Sequence, residues 1–381
     1  MKKYRIIDCD GHVAEPFSLY TEYCEPEFRE RAPKPFVKDD GTRAVIIDGK
    51  EFPAFIKFGG RALGKLEGDD IVRPVQKPAV SEGGVHGAVR LKDMDVEGID
   101  AAIVYPSGAA SMCAIQNAGL ESAMYRAYNR WLAEYCSADT NRIKGNVLVS
   151  MRHPELAIEE IKRVANEDWI GGISITPHID NYNLDHPRFH ALWAVAQEYD
   201  LPICVHAGSG RPPYGLGTEE AQGCHMLRHL MTHPYEQQRA MATLMGGGVL
   251  DFFPELRVAF IESGIGWVPW WLDRMERETE LLGAHTPFMK RRPKQYMEDG
   301  QCFVSLLPEE ACIEGTLDQI GDAGIVFASD YPHWDCGFPD TVQRIERRNL
   351  SEATKRNIFE TNALRLHSRF SSLVESVRIA S

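Results

Sequence analysis

The sequence predicts an α/β protein, a (β/α)8 TIM barrel with a segment inserted after the first strand. Two observations carry the prediction. Short apolar or β-branched runs occur eight times, at 5–9, 101–105, 145–150, 172–176, 202–206, 257–262, 302–306 and 325–329. Between most of them, apolar residues recur every three or four positions, at 115–136, 154–166, 187–199, 225–252, 268–282 and 309–320. Strands alternating with helices imply right-handed crossovers and a parallel sheet, and eight units are the number that closes a barrel. An open doubly wound sheet is the competitor. The GxGxxG loop it would need after strand one to hold a dinucleotide is absent.

The elements follow in order. Strand one is Arg5-Ile6-Ile7-Asp8-Cys9. Residues 25–90 then break the alternation, being rich in Pro, Gly and charge. Within them 44–48, Gly49 and 52–58 read as a β-hairpin around the Asp48-Gly49 turn. This is an insertion placed to cap the barrel mouth or to run over the surface. Beyond it the alternation is regular. Pro154 and Pro187 suit first helical turns. Residues 351–367 read as a closing helix, with Ser351 as N-cap and Glu352 in the first turn. The chain reads as one domain, 1–381, without repeats or low-complexity segments.

Composition bounds the partners. The 381 residues are 44% hydrophobic and 25% charged, with 42 basic and 55 acidic residues and a net charge of −13. That excludes a general affinity for nucleic acid or anionic membrane, while a local Arg still allows an anionic small-molecule substrate. The nine cysteines are odd in number and form no CxxC, which points to reduced thiols in a cytoplasmic protein. No signal-peptide h-region opens the chain, and no apolar run approaches the roughly 18 residues of a membrane span.

Barrel active sites form where strands end in βα loops. Strand one ends in Asp10 and His12, strand four in Thr176-Pro177-His178, strand five in His206, strand six in Glu262 and strand eight in Asp330. Asp10 and His12 are two apart, so an extended backbone points both to one side. With His206 and Asp330 they make a shell of two imidazoles and two carboxylates. Such a shell suits Zn²⁺ and also allows Mn²⁺ or Fe²⁺. A lone His ending a strand is commonly a structural residue, and a lone Asp a helix cap; the conjunction is the signal.

The motifs DxDxHxxEP at 8–16, FPELRVAFIESGIGWVPWWLDRME at 253–276 and ASDYPH at 328–333 resemble the amidohydrolase superfamily. With the stretch RLKDMDVEGIDAAIVYPSG at 90–108 and NALRLH at 362–367, the chain more narrowly resembles the branch related to aminocarboxymuconate-semialdehyde decarboxylase. The resemblance implies a (β/α)8 barrel, one divalent ion on Asp10, His12, His206 and Asp330, and a homodimer. Two departures stand out. Dinuclear members carry a lysine where this chain has Thr176-Pro177-His178, which favours one ion. Several decarboxylases of the branch carry a His at the end of strand six, where this chain has Glu262.

Several chemistries fit that shell. A metal-activated water on a small, carboxylated substrate gives hydrolysis, with Asp330 moving the water's proton. Non-oxidative decarboxylation of a small aromatic or unsaturated acid is the alternative. The changed residue at 262 tips the sequence narrowly toward hydrolysis. A non-catalytic binding barrel is the remote third reading. Glu262 either orients water or accepts the outward N–H of a ligand His. His178 and His233 are further catalytic candidates. Arg211, in the loop after His206, and Arg90 are candidates for gripping a substrate carboxylate, His333 for lining the mouth, and Glu15 for orienting the ligands from behind. Trp267, Trp270 and Trp271 are expected to pack the sixth helix against the barrel or a partner subunit.

Overall fold

The computed structural model describes residues 3–39, 43–53, 82–206, 225–333 and 335–370. Eight parallel strands run in sequence order: β1 (Ile7–His12), β2 (Ala101–Tyr105), β3 (Ile143–Leu148), β4 (Ile170–Ile175), β5 (Ile203–His206), β6 (Val258–Ile261), β7 (Cys302–Leu306) and β8 (Ile325–Phe327). The ring closes where the last strand meets the first. The Asp330 N–H donates to the Asp10 carbonyl at 2.8 Å, and the His12 N–H to the Tyr331 carbonyl at 2.5 Å.

Helices fill the crossovers: α1 (Gly87–Glu97), α2 (Ala118–Cys136), α3 (Pro154–Val164), α4 (His190–Glu198), α5 (His225–Gly246), α6 (Val268–Leu282) and α7 (Ile313–Ile320). Local chemistry sets their starts. The Asn117 side chain caps α2 by accepting the Leu120 N–H, and Pro154 occupies the first turn of α3, where no N–H is needed. Pro187 opens a short 3₁₀ turn that leads into α4. Helix α1 lies at the end of the segment read as inserted. Its inward face carries Arg90 and Glu97 beside Met94, so it has no apolar stripe to read. Helix α6 packs Trp267 and Trp271 on the core and leaves Trp270 exposed.

The Asp48-Gly49 hairpin is present. Arg43–Ile47 pairs antiparallel with Lys50–Pro53, and both turn residues have positive φ, as a two-residue hairpin loop requires. A further strand, Lys34–Val37, makes this a three-stranded sheet. Residues 40–42 and 54–81 of the expected insertion, including most of the hairpin's second strand as read at 52–58, lie outside the described residues. Among the described residues no helix is long and apolar enough to cross a membrane.

The closing segment starts as expected, with Ser351 accepting the Thr354 N–H, then passes through a wide turn at Asn357–Thr361 into Asn362–Leu366. Ala363, Leu366 and Phe370 join the interior cluster with Ile7 and Ala101, plugging the barrel at the strands' N-terminal ends. His367 locks this plug: fully buried, its Nδ1 lies 3.1 Å from the Gly171 carbonyl on β4. Burial depresses its pKa to about 3. The unfolded chain, with a His near 6.5, therefore binds this proton over a range where the folded chain does not. Stability is full above about pH 6.5 and falls as the pH drops toward 3, by about 2 kcal/mol at pH 5 from this group alone. Urea titrations at pH 7.5 and pH 5 are expected to show that loss. His367→Asn, which keeps a donor for Gly171, should reduce the pH difference by about that amount. An unchanged pH difference in the variant would assign the acid sensitivity elsewhere.

Candidate metal centre

The first strand is not regular. Its pairing with β2 shifts register between Asp8 and Gly11. Ile7 and Cys9 face the barrel interior with Ile103, Tyr105, Cys204 and Phe303. Strict alternation would then send Asp10 and His12 outward with Asp8. The irregularity resets the parity. Asp8 stays outside, where Ser329 donates to it through both its N–H (2.9 Å) and its hydroxyl (2.5 Å), while Asp10 and His12 turn inward.

Five donor atoms converge there. The His12 Nε2 lies 3.4 Å from Asp10 Oδ1, 3.5 Å from Asp330 Oδ1, 3.5 Å from Glu262 Oε2 and 3.3 Å from His206 Nε2. The His206 Nε2 is 2.9 Å from Glu262 Oε2 and 3.8 Å from Asp10 Oδ1. An ion about 2.1 Å from each donor sets neighbouring donors about 3.0–3.4 Å apart, so the spacing is that of a coordination shell. Both carboxylate oxygens of Asp10 are buried without a hydrogen-bond donor, which leaves them for a cation. His12 Nδ1, 3.1 Å from the Pro106 carbonyl, donates there and turns its Nε2 lone pair inward.

Glu262 and Asp330 both sit just past their strands with positive φ, 59° and 55°. Such backbone costs a non-glycine residue about 1–3 kcal/mol and is kept where a side chain must be aimed. Glu262 meets the inward Nε2 edges of both histidines, which is a ligand's place; an acceptor for an outward N–H would sit at Nδ1. Burial pushes Asp330 up to about 7, the Glu262 charge adding to that and His333 opposing it. Burial works against ionisation of Glu262 too, but His206 and His233 hold it well below the usual range. Burial likewise opposes the charge on His233 and His333, yet Glu262 raises the first and Asp330 the second. Crowded carboxylates thus draw positive charge from every neighbour.

The remaining candidates fall in several places. His333 lies at the mouth: its Nδ1 is 2.7 Å from Asp330 Oδ1, its ring stacks on His12 at 3.8 Å, and its Nε2 is 3.1 Å from the Ser107 hydroxyl. Glu15 accepts the N–H groups of Ser107, Gly108 and Ala109, holding the turn that presents the Pro106 carbonyl to His12. His233, on α5, has its Nε2 3.3 Å from Glu262 Oε1. His178 is brought instead to Glu236 of α5, with Nε2 3.2 Å from Oε2, and lies in none of the donor groups among the described residues. Arg90 does not reach the pocket. It is 1% exposed behind β1, donating to the carbonyls of His12 and Tyr331 and to Asp8, so the structure gives it a bracing role rather than a substrate carboxylate. Arg211 lies outside the described residues. Sequence reasoning passed over Ser107 and Pro106, which follow strand two with no charge to mark them, and His229, whose signal was its spacing of four from His233.

The family described as Amidohydrolase matches residues 7–368. The 2-amino-3-carboxymuconate-6-semialdehyde decarboxylase of Dictyostelium discoideum is 26% identical over 251 residues, 64% of this chain; the match spans 66% of that protein, just under two thirds. Four further relatives, 21–25% identical, are likewise decarboxylases by name. The structure of an amidohydrolase from Mycobacterium avium subsp. paratuberculosis superposes with a TM-score of 0.77 at 20% identity, covering 96% of this chain and all of that one. A manganese-bound 5-carboxyvanillate decarboxylase from Novosphingobium aromaticivorans superposes with a TM-score of 0.64 at 19% identity, covering 97% and 96%.

Proposed function

This chain belongs to the amidohydrolase family, and on that premise we propose that it is a carboxy-lyase of the branch related to aminocarboxymuconate-semialdehyde decarboxylase. It is a metal-dependent enzyme acting on a small molecule. The proposed reaction releases CO₂ from a small aromatic or unsaturated carboxylic acid. The observation that carries this choice is the relatives, which are decarboxylases by name. It reverses the narrow lean to hydrolysis drawn from residue 262 alone.

In this reading Asp10, His12, His206 and Asp330 would hold one divalent ion, with Glu262 as a fifth donor. When bound, the ion supplies positive charge that grips the substrate carboxylate and a neighbouring oxygen. Zinc fits the donors, and manganese is bound in the Novosphingobium decarboxylase structure. Loss of CO₂ leaves an electron pair on carbon, which must take up one proton: R–CO₂⁻ + H⁺ gives R–H + CO₂. The Asp330–His333 pair, with Nδ1 2.7 Å from Oδ1, would hold that proton at the mouth, with Ser107 on its outer side.

One observation favours hydrolysis as the second reading: a carboxylate, not an imidazole, ends β6. A product assay separates them. Purified protein reloaded with Zn²⁺ or Mn²⁺ is incubated with hydroxybenzoates and unsaturated diacids, and in parallel with esters, amides and lactones of similar size. Stoichiometric CO₂ and decarboxylated product are expected from the acids. Cleavage of the second set with no CO₂ from the first would replace this reading with hydrolysis.

A further inference from the structure

Glu262 uses only one of its oxygens in the shell just described. Oε2 faces His206 and His12, while Oε1 lies 3.3 Å from His233 Nε2 and 3.8 Å from His333 Nδ1. On α5, His229 and His233 are four apart and so share one helical face, their ring centroids 4.3 Å apart. Two imidazoles at that spacing on a helix chelate a metal without distorting the backbone. His233 Nδ1 lies 3.0 Å from the His229 carbonyl, which takes its proton and leaves Nε2 with a lone pair toward Glu262. One donor atom from each of His229, His233 and Glu262 lies within 4.8 Å of the others, and Asp335 Oδ2 is 3.5 Å from His229 Nε2.

We propose that the active site has a second, weaker position for a divalent cation, formed by His229, His233 and Oε1 of Glu262 and flanked by Asp335, so that Glu262 spans two ions. Two imidazoles with one or two carboxylates suit Zn²⁺ or Mn²⁺ rather than Mg²⁺ or Ca²⁺. A carboxylate offering one oxygen to each of two ions sets them about 3.5–4 Å apart. The second position is the weaker because it has fewer donors, and because His229 is only half-buried and Asp335 is exposed. The lysine that the superfamily's dinuclear members use has no part in it; the bridge comes from the end of β6.

The proposal rests on the metal reading of the first shell, and the test keeps the two distinct. Metal-free full-length protein is titrated with Mn²⁺ alone, bound ions are counted by equilibrium dialysis, and low-temperature electron paramagnetic resonance is recorded at each step. Two ions per chain are expected at saturation, the second appearing with an exchange-coupled spectrum. His229→Gln should hold one ion, with first-site affinity and a six-line uncoupled signal. A plateau at one ion per chain, or a second ion without coupling, would overturn the second position and leave the first intact. No bound ion at all would overturn both. The wild-type count decides the question even if the variant folds poorly.

Discussion

His12→Ala is expected to lower turnover by about 10³-fold or more and to abolish the rise in melting temperature that Zn²⁺ or Mn²⁺ gives the metal-free wild type. The reason lies in the charges. Asp10, Glu262 and Asp330 bring three buried carboxylates to one point, and His12 Nε2 lies within 3.5 Å of an oxygen from each. Like charges so placed are stable together only around a cation. Deleting the imidazole removes the donor that touches all the others, and with it the several kcal/mol of charge stabilisation a divalent ion lends a reaction; about 4 kcal/mol is a factor of 10³. Binding of the ion to the folded state alone raises stability by RT ln(1 + [M]/Kd), so the melting shift reports the site without any substrate. Scanning calorimetry with and without metal checks the second half of the expectation. A variant that keeps the metal-dependent shift would show that the ion sits elsewhere.

The barrel was legible because its strands are buried on both faces and so are written as unbroken apolar runs, whereas most crossover helices carry a one-sided stripe. The pairing of Asp10 with His12 was legible from spacing. Its direction was not, because one irregular step in β1 reverses which side faces inward, and nothing in Asp-Cys-Asp-Gly-His announces it. Glu262 was legible as a polar strand end, but its place against the Nε2 atoms of His12 and His206 was not, since that depends on a left-handed backbone past β6. Arg90 was misread for a related reason. It was read as a candidate to grip a substrate carboxylate, and only the fold reveals that it faces the seam between β1 and β8. His178 stood at a strand end as expected, but the turn after β4 carries it to Glu236. In each case the sequence located the residue, and tertiary packing chose its partner.

The seam explains why Arg90→Met should be among the most damaging changes away from the donors themselves, at about 3–5 kcal/mol of stability. The guanidinium donates to the His12 carbonyl at 3.3 Å, the Tyr331 carbonyl at 3.2 Å and Asp8 Oδ2 at 3.5 Å, and stacks 4.4 Å from the Tyr331 ring centre. Gly11 makes room for it, since a Cβ there would collide with the guanidinium. One buried cation thus ties together the two backbone segments that carry His12 and Asp330. Methionine fills the volume but strands the Asp8 charge, whose carboxyl burial already pushes upward and Arg90 pulls back. Lysine would not rescue it, because one ammonium cannot reach the three acceptors that the planar fork spans. Adding Asp8→Asn to Arg90→Met should recover much of the lost stability, since removing both charges avoids the stranded one. Metal affinity should fall about 10–100-fold in the single variant through loosened ligand geometry, and should not recover in the double. Urea unfolding at saturating Mn²⁺, together with metal titrations of both variants, separates the two effects. Should Arg90→Met unfold within about 0.5 kcal/mol of wild type, the size of an ordinary surface substitution, the brace has no energetic content and the ligand strands are held by the sheet alone.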